Sequence, residues 1–344
     1  WIAAPGRALA GELAVPGERW EIEFMTDGSV EVDLGPTSIR TPNRTPKPVL
    51  AFEPQQFDRV TQWTVALGYD GRWAGVGALS AGLQRTDYLK RIGPADQPPV
   101  VTSTTPLLWN VNLALDVTDR LAVYGGGVTG LEESGIAPGN AINRNEALPA
   151  ILTRQFDAGI RYALTGELRL TAGLFQVSKP YFNLDDRSRF RELGRVTNRG
   201  VEASLAGAMT PRLTVVAGGV FLDPRVSGDA VRLGISGPRP VGAVSRRVEL
   251  SADWRPVGLD GLSIDGGVSH RSRETATVSN LTSIPSYTLA NLGARYRFAL
   301  KDQDAVLRVQ VLNLFDQQGY ELRDAGLYDI LPGRLLQLFL TVDF

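Results

Sequence analysis

Few side chains in this sequence could do covalent chemistry. There is one histidine and no cysteine in 344 residues. Thiolate nucleophiles, a disulfide framework and Cys-based zinc sites are therefore excluded. His270 sits in the stretch Gly-Gly-Val-Ser-His-Arg-Ser-Arg-Glu, near the end of a predicted strand. As a general base it would need a nucleophile and an orienting acid, and no nucleophile motif accompanies it. An exposed histidine at an interface is the plainer reading. Asp185 and Asp186 place two carboxylates side by side, the ligand type calcium prefers, but without the spacing of a calcium loop. With Arg187, Arg189 and Arg191 beside them, they read as a solvated loop. Gly125, Gly127 and Gly130 match the dinucleotide fingerprint. That motif needs a helix directly after it to receive the pyrophosphate. The loop-like Leu-Glu-Glu-Ser-Gly-Ile-Ala-Pro-Gly-Asn follows instead, so the glycines read as part of a crowded strand. No cofactor, metal or catalytic residue is assigned.

The elements that position these residues show first in composition. Lys+Arg number 36 against 37 Asp+Glu, for a net charge of -1. Nucleic-acid binders usually show a strong basic excess, so nucleic acid is not an expected partner. No stretch reaches the ~18 apolar residues of a transmembrane helix. A membrane remains open all the same, because a β-barrel needs only about ten alternating residues per crossing. The mean hydropathy of -0.07 suits such a wall. The opening Trp1-Ile2-Ala3-Ala4-Pro5 lacks the features of a signal peptide and reads as the middle of a longer or processed chain.

Period two dominates the sequence. Over 247–255, Val248, Leu250, Ala252 and Trp254 alternate with Arg247, Glu249, Ser251, Asp253 and Arg255. Over 290–298, Ala290, Leu292, Ala294, Tyr296 and Phe298 alternate with Asn291, Gly293, Arg295 and Arg297. The segments 105–117, 155–164 and 305–311 behave alike, and Leu336, Leu338, Leu340, Val342 and Phe344 form one face of a last strand. A soluble sandwich also alternates. Here, however, one face repeatedly carries charge and glycine while the other often ends in an aromatic. That pattern suits a barrel with lipid outside and a wet lumen. The expectation is that Val248, Leu250, Leu292, Tyr296, Phe298, Leu307 and Val309 point outward. Arg247, Glu249, Arg295, Arg297 and Arg308 then point inward.

Connection lengths sharpen this. Tight turns are expected at Asp27-Gly28, Asp70-Gly71, Thr118-Asp119, Thr165-Gly166, Thr210-Pro211, Gly258–Gly261 and Lys301–Gln303. Longer polar segments, rich in Pro, Gly, Asn, Asp and Arg, lie between them at 36–57, 91–104, 132–151, 182–190, 227–243, 276–284 and 318–333. Outer-membrane barrels sort short and long connections to opposite rims in this way. The fold class is thus all-β: a transmembrane antiparallel up-and-down barrel, with about 16 strands present.

The C-terminal stretch carries a resemblance. Asn313-Leu314-Phe315-Asp316 with Tyr320, then Pro332-Gly333-Arg334 and a last strand ending in Phe344, resembles the C-terminus of TonB-dependent outer-membrane receptors. Arg199, Gly200 and Glu202 resemble that family's Arg-Gly-x-Glu strand start, and the segment from Gly130 to Tyr162 is similar to the ferric-siderophore type. The family has a 22-stranded barrel filled by an N-terminal plug that carries the TonB-contacting segment. The resemblance implies that 1–344 is the C-terminal portion of such a barrel, with the plug and first strands not present.

The resemblance also implies outer-membrane lipid, a ferric siderophore and TonB, through the plug segment, as partners. It implies that Phe344 serves as the signal read by the barrel-assembly machinery. Ferric siderophores are often anionic with aromatic parts. Guanidinium groups and phenol rings in loops suit them, which makes Tyr181, Arg187, Arg189, Arg239, Tyr320, Arg323 and Tyr328 the candidate ligand-binding residues. The alternatives are a general diffusion porin of about 16 strands and an outer-membrane enzyme such as a lipase using His270. Whether Leu9–Val15 pairs with 334–344 to close the wall is left open.

Overall fold

The structure is a computed structural model. It describes residues 9–14, 17–26, 35, 46–47, 49, 56–94, 98–301 and 303–343. The expected turn at Asp27-Gly28, most of the long segment 36–57, Val15 and Phe344 lie outside the described residues.

Among the described residues there are twenty strands and one helical turn: β1 (Leu9–Ala14), β2 (Gly17–Thr26), β3 (Gln56–Trp73), β4 (Gly77–Pro94), β5 (Val100–Thr104), β6 (Leu107–Thr118), β7 (Leu121–Glu132), β8 (Ile151–Ala163), β9 (Leu168–Leu184), β10 (Phe190–Thr210), β11 (Leu213–Gly228), α1 (Asp229–Arg232), β12 (Arg246–Trp254), β13 (Leu262–Arg271), β14 (Glu274–Thr275), β15 (Ser283–Ile284), β16 (Tyr287–Leu300), β17 (Gln303–Leu312), β18 (Tyr320–Asp324), β19 (Leu327–Ile330) and β20 (Leu335–Val342). Sixteen strands make one sheet in chain order. The other four form two small hairpins, β14–β15 and β18–β19. β1 and β2 both pair with β3, and β5 and β6 both pair with β4, so each couple is one interrupted strand. β1/β2 and β20 are the two ends of the ladder among the described residues.

Every pairing is between antiparallel neighbours, so alternate connections fall on opposite rims. The segments 133–150, 229–245 and 313–334 share one rim, and the turns after Ala163 and Thr210 share the other, as expected. At the short-connection rim a threonine side chain organises the turn. Thr118 Oγ1 accepts from the amides of Arg120 and Leu121, Thr165 Oγ1 from Glu167 and Leu168, and Thr210 Oγ1 from Arg212.

Three local expectations are corrected. Asp70-Gly71 is not a turn but lies inside β3, and the chain reverses at Ala74–Val76 with Gly75 at φ 68°. Gly71 serves a neighbour instead: a side chain there would meet the Tyr69 ring, its Cβ falling 2.5 Å from the hydroxyl. Most of 91–104 is strand, since β4 runs to Pro94 and β5 begins at Val100. The connection 182–190 shrinks to 185–189 for the same reason. Near the top of β4 the inner face is buried, at Thr86, Tyr88, Lys90 and Ile92, and it mixes polar with apolar residues, so the alternation that marks a strand is lost.

Facing follows the sequence. Val248, Leu250, Leu292, Tyr296 and Val309 are exposed on the outer face, where Tyr296 and Phe298 stack with ring centroids 5.7 Å apart. Leu336, Leu338 and Leu340 continue that face at 60–69% exposure. Exposed side chains this apolar belong in lipid. The inner face is charged and paired: Arg295 with Asp253 at 3.2 Å, Arg308 with Asp265 at 3.7 Å, and Arg247 with Glu249 at 2.6 Å.

Gly125, Gly127 and Gly130 all lie within β7, with strand on both sides and no helix after them. A Cβ on Gly127 would fall 2.9 Å from both Trp109 and Phe156, whose rings meet over it at 6.0 Å. The glycine lets the two aromatics join.

Candidate functional site

The long-connection rim is built from loops tied to one another in sequence. Lys90 begins the chain of ties. Its side chain is 2% exposed, and its ammonium lies 2.5 Å from Glu133, 3.0 Å from Asp58 and 2.9 Å from the Ser134 carbonyl oxygen. It pins the start of the 133–150 loop to β3 and β4. That loop is held to the next hairpin by Asn143, which donates to the Phe190 carbonyl and accepts from the Phe190 amide, both at 2.9 Å. Arg189 adds an ion pair to Glu146 at 3.2 Å.

Asp185 then organises its own turn. It accepts from the amides of Arg187 and Arg189 and pairs with Arg191 at 2.8 Å. The Arg191 hydrogen bond, with the two amides, holds the Asp185 carboxyl below the usual carboxylate range. The acid is thus committed to an arginine. Arg191 also reaches Asp229 of α1 at 4.0 Å. α1 rests on a small apolar core of Leu193, Val226 and Ala230, against which Tyr181 packs. Further round, Asn280 and Arg239 exchange two hydrogen bonds at 2.8 and 2.9 Å, joining the 229–245 and 272–286 loops. The Gly326 amide donates to the Ala276 carbonyl, adding the β18–β19 hairpin.

The base of that last loop explains the Asn-Leu-Phe-Asp motif. Asn313 is buried, at φ 49°, and donates to the carbonyls of Gln317 and Pro332 while accepting from the Gln317 amide. Asp316 accepts from the Arg334 amide. The motif and the Pro-Gly-Arg segment thus close the loop by holding each other.

The seven candidate ligand residues sort by what already occupies them. Tyr181 is packed against the core of α1, and its hydroxyl accepts from Asn183 at 3.0 Å. Arg189 is paired with Glu146. Arg323 is paired with Asp329 at 2.5 Å and Glu321 at 3.7 Å. Arg187 and Arg239, both exposed, use their backbones in turns, and their guanidinium groups have no partner among the described residues. Tyr320 and Tyr328 are exposed at 55% and 37%. Tyr320 also borders an open cavity between Pro285–Tyr287 and the 316–333 loop. Sequence reading missed Lys90, whose role depends on a partner 43 residues away. It also missed Glu274, which is 2% exposed in the β14–β15 hairpin and lies 3.2 Å from Arg271. Burial pushes the Glu274 carboxyl up, and the nearby guanidinium does not cancel that. His270 lies at the end of β13, in register with Thr288, and its Nδ1 is 2.9 Å from the Thr288 hydroxyl. It is half-buried and shares the face of Val248, its register partner in β12.

The sequence profile of the family described as "TonB dependent receptor-like, beta-barrel" matches residues 26–314. This chain belongs to that family. Family members are outer-membrane proteins of Gram-negative bacteria, receptors and transporters in kind, and this barrel belongs to that membrane. Among curated proteins, the ferrichrome receptor FcuA of Yersinia enterocolitica is 23% identical over 235 residues, covering 66% of this chain and 31% of its own length. The metal-pseudopaline receptor CntO of Pseudomonas aeruginosa is 26% identical over 203 residues, covering 56% and 27%. In fold, the chain is similar to BauA, the ferric preacinetobactin receptor from Acinetobacter baumannii. The TM-score is 0.80 at 22% identity, covering 98% of this chain and 53% of BauA. The match to these curated relatives spans about a third of their length or less.

Proposed function

We propose that the whole protein is a receptor for TonB-dependent uptake of a ferric siderophore. In this reading residues 1–344 supply the C-terminal portion of its barrel. A plug domain supplied elsewhere in the protein makes the contact with TonB. The observation that carries the reading is the rim itself. Arg187, Arg239, Tyr320 and Tyr328 present unpaired guanidinium groups and exposed phenols on loops that are tied to one another. Such groups bind an anionic, aromatic iron chelate by charge-assisted hydrogen bonds and stacking. The names of the relatives point the same way: ferrichrome, metal-pseudopaline and ferric preacinetobactin are all metal chelates. Arg189, Arg323 and Tyr181 act in this proposal by holding the loops. Phe344 acts as the signal for the barrel-assembly machinery.

The test is binding. Purified full-length protein is titrated with a panel of ferric chelates while tryptophan fluorescence is followed. Saturable quenching by at least one chelate, weakened when Arg187 and Arg239 are both replaced by alanine, supports the proposal. No saturable response, together with steady unselective conductance in planar bilayers, would favour a diffusion porin.

A further inference from the structure

Glu274 is buried where three loops of the long-connection rim meet. It opens the β14–β15 hairpin, in register with Ile284. Val244 of the 229–245 loop bridges to it from one side. Glu321 and Leu322 of β18 close the other side, and Leu322 packs beside Gly242. Ala276 and Ile284, next to it in the hairpin, are fully buried, so the surroundings of the carboxyl are largely apolar.

A carboxylate in such a place needs donors, and this one is poorly supplied. Neither of its oxygens accepts a hydrogen bond. Its ionic partner is Arg271, at 3.2 Å. Arg271 is shared, because Glu321 lies 4.0 Å away on its other nitrogen and Tyr287 stands across the ladder from it. Arg247, the other register partner of Arg271, is paired with Glu249 at 2.6 Å. Glu321 lies 3.7 Å from Arg323, which is itself 2.5 Å from Asp329. Three carboxylates, Glu274, Glu321 and Asp329, thus share the two guanidinium groups of Arg271 and Arg323. The sole histidine, His270, stands on the opposite face of β13, in register with Val248. Ionised, Glu274 puts an unbalanced negative charge out of water; protonated, it is neutral.

The β18–β19 hairpin is hinged at its base and lightly held above it. Asn313 and the Leu331 amide, which donates to the Gly319 carbonyl, fix the base. Further up, the Gly326 amide donates to the Ala276 carbonyl at 3.0 Å, and Glu321 faces Arg271. The far side meets water, with Leu327 and Ile330 both exposed. Lifting the hairpin uncovers Glu274, and an uncovered carboxyl ionises in the ordinary glutamate range. Ionisation and lifting therefore favour each other.

We propose that Glu274 is a proton-operated latch on the β18–β19 hairpin. With Glu274 protonated the hairpin lies closed on β14–β15. With Glu274 ionised, and competing with Glu321 for Arg271, the hairpin lifts. The hairpin carries Tyr320 and Tyr328, so the latch sets how the rim presents these phenols as the pH of the medium changes. It is built from loop–loop contacts alone and holds whatever ligand the rim takes.

The test is electron paramagnetic resonance of a spin label at Ala325→Cys, at the hairpin tip, in the full-length protein without ligand. Residues 1–344 bring no other cysteine, and any elsewhere is replaced by serine. The expected result is a mobile fraction that rises severalfold between about pH 4.5 and about pH 8.5, while a label at Glu167→Cys on the short-connection rim does not change. In Glu274→Gln the tip label should stay immobile throughout. In Glu321→Gln the rise should be smaller and end at lower pH, because Arg271 then serves Glu274 alone. No rise in the unaltered latch would overturn the proposal, as would a full rise in Glu274→Gln or in Glu321→Gln. Mobility of unheated samples on gels checks that each variant is folded, and the comparison of the two labels needs no substitution at the latch. With no ligand present, failure of the latch leaves the proposed uptake function untouched.

Discussion

The side-chain amide of Asn313 donates to the Pro332 carbonyl oxygen at 2.9 Å, closing a loop of nearly twenty residues at its base. The same side chain makes two further bonds to Gln317, at 2.8 and 3.0 Å. Replacing Asn313 with alanine leaves these groups unsatisfied at a site that is 5% exposed. The expected cost is about 2–4 kcal/mol, from three lost hydrogen bonds of about 1 kcal/mol each. The heat-modifiability midpoint of the folded barrel should fall accordingly. Faster proteolysis of 313–334 should accompany it.

Lys90 is the corresponding anchor for the 133–150 loop. Lys90→Met removes the cation and leaves Asp58 and Glu133 facing each other. Removing one partner of a fully buried pair costs ~3–5 kcal/mol. Glu133 keeps part of its contact with water, so about 2–3 kcal/mol is expected here. Hydrogen exchange over 133–150 should accelerate while the inner-rim turns stay protected. Lys90→Met/Glu133→Gln should recover part of the loss.

Two carboxylates predict opposite responses to acid. The Asp185 carboxyl is held low, chiefly by Arg191, so its contribution to stability is present above its ordinary pKa. That contribution is lost as the pH falls through the folded value. The Glu274 carboxyl is pushed up by burial, so its contribution is complete below the ordinary glutamate value. It fades as the pH rises through the folded value. Acidification should therefore loosen the 185–189 turn while tightening the β14–β15 hairpin. Hydrogen exchange corrected for intrinsic rates checks both. Glu274→Gln should flatten the second trend, and an unchanged slope in that variant would contradict the assignment.

The rim arginines predict a graded effect on ligand affinity. Arg187→Ala and Arg239→Ala each remove an unpaired guanidinium and should weaken ferric-chelate binding by about ten- to a hundredfold, given ~1.5–3 kcal/mol for a charge-assisted bond. Arg323 is already paired with Asp329, so Arg323→Ala should act through loop order. It should change hydrogen exchange over 318–333 more than it changes affinity. Equilibrium titration of the three variants separates these outcomes.

The barrel wall was legible in the sequence because lipid and lumen enforce period two. Leu292 and Arg295 could be placed on opposite faces before any coordinates, since a one-residue slip would put the arginine into lipid. The inner turns were legible where threonine caps them, at Thr118, Thr165 and Thr210. The strand tops were not, because the buried face near the top of β4 mixes Thr86, Tyr88, Lys90 and Ile92 and so carries no apolar alternation, and 91–104 read as loop. Asp70-Gly71 misled for a local reason: Gly71 makes room for the Tyr69 ring and reverses nothing. Of the candidate ligand residues, type alone suggested all seven. Only the long-range pairings of Arg189 with Glu146 and Arg323 with Asp329 reveal which cations are already spoken for.

The most direct measurement is uptake of iron-55 as a ferric siderophore by cells expressing the full-length protein, with and without TonB and the proton-motive force. The account predicts saturable uptake that disappears when either is removed and falls when Arg187 and Arg239 are both replaced by alanine. Uptake that persists without TonB and without the proton-motive force would contradict it.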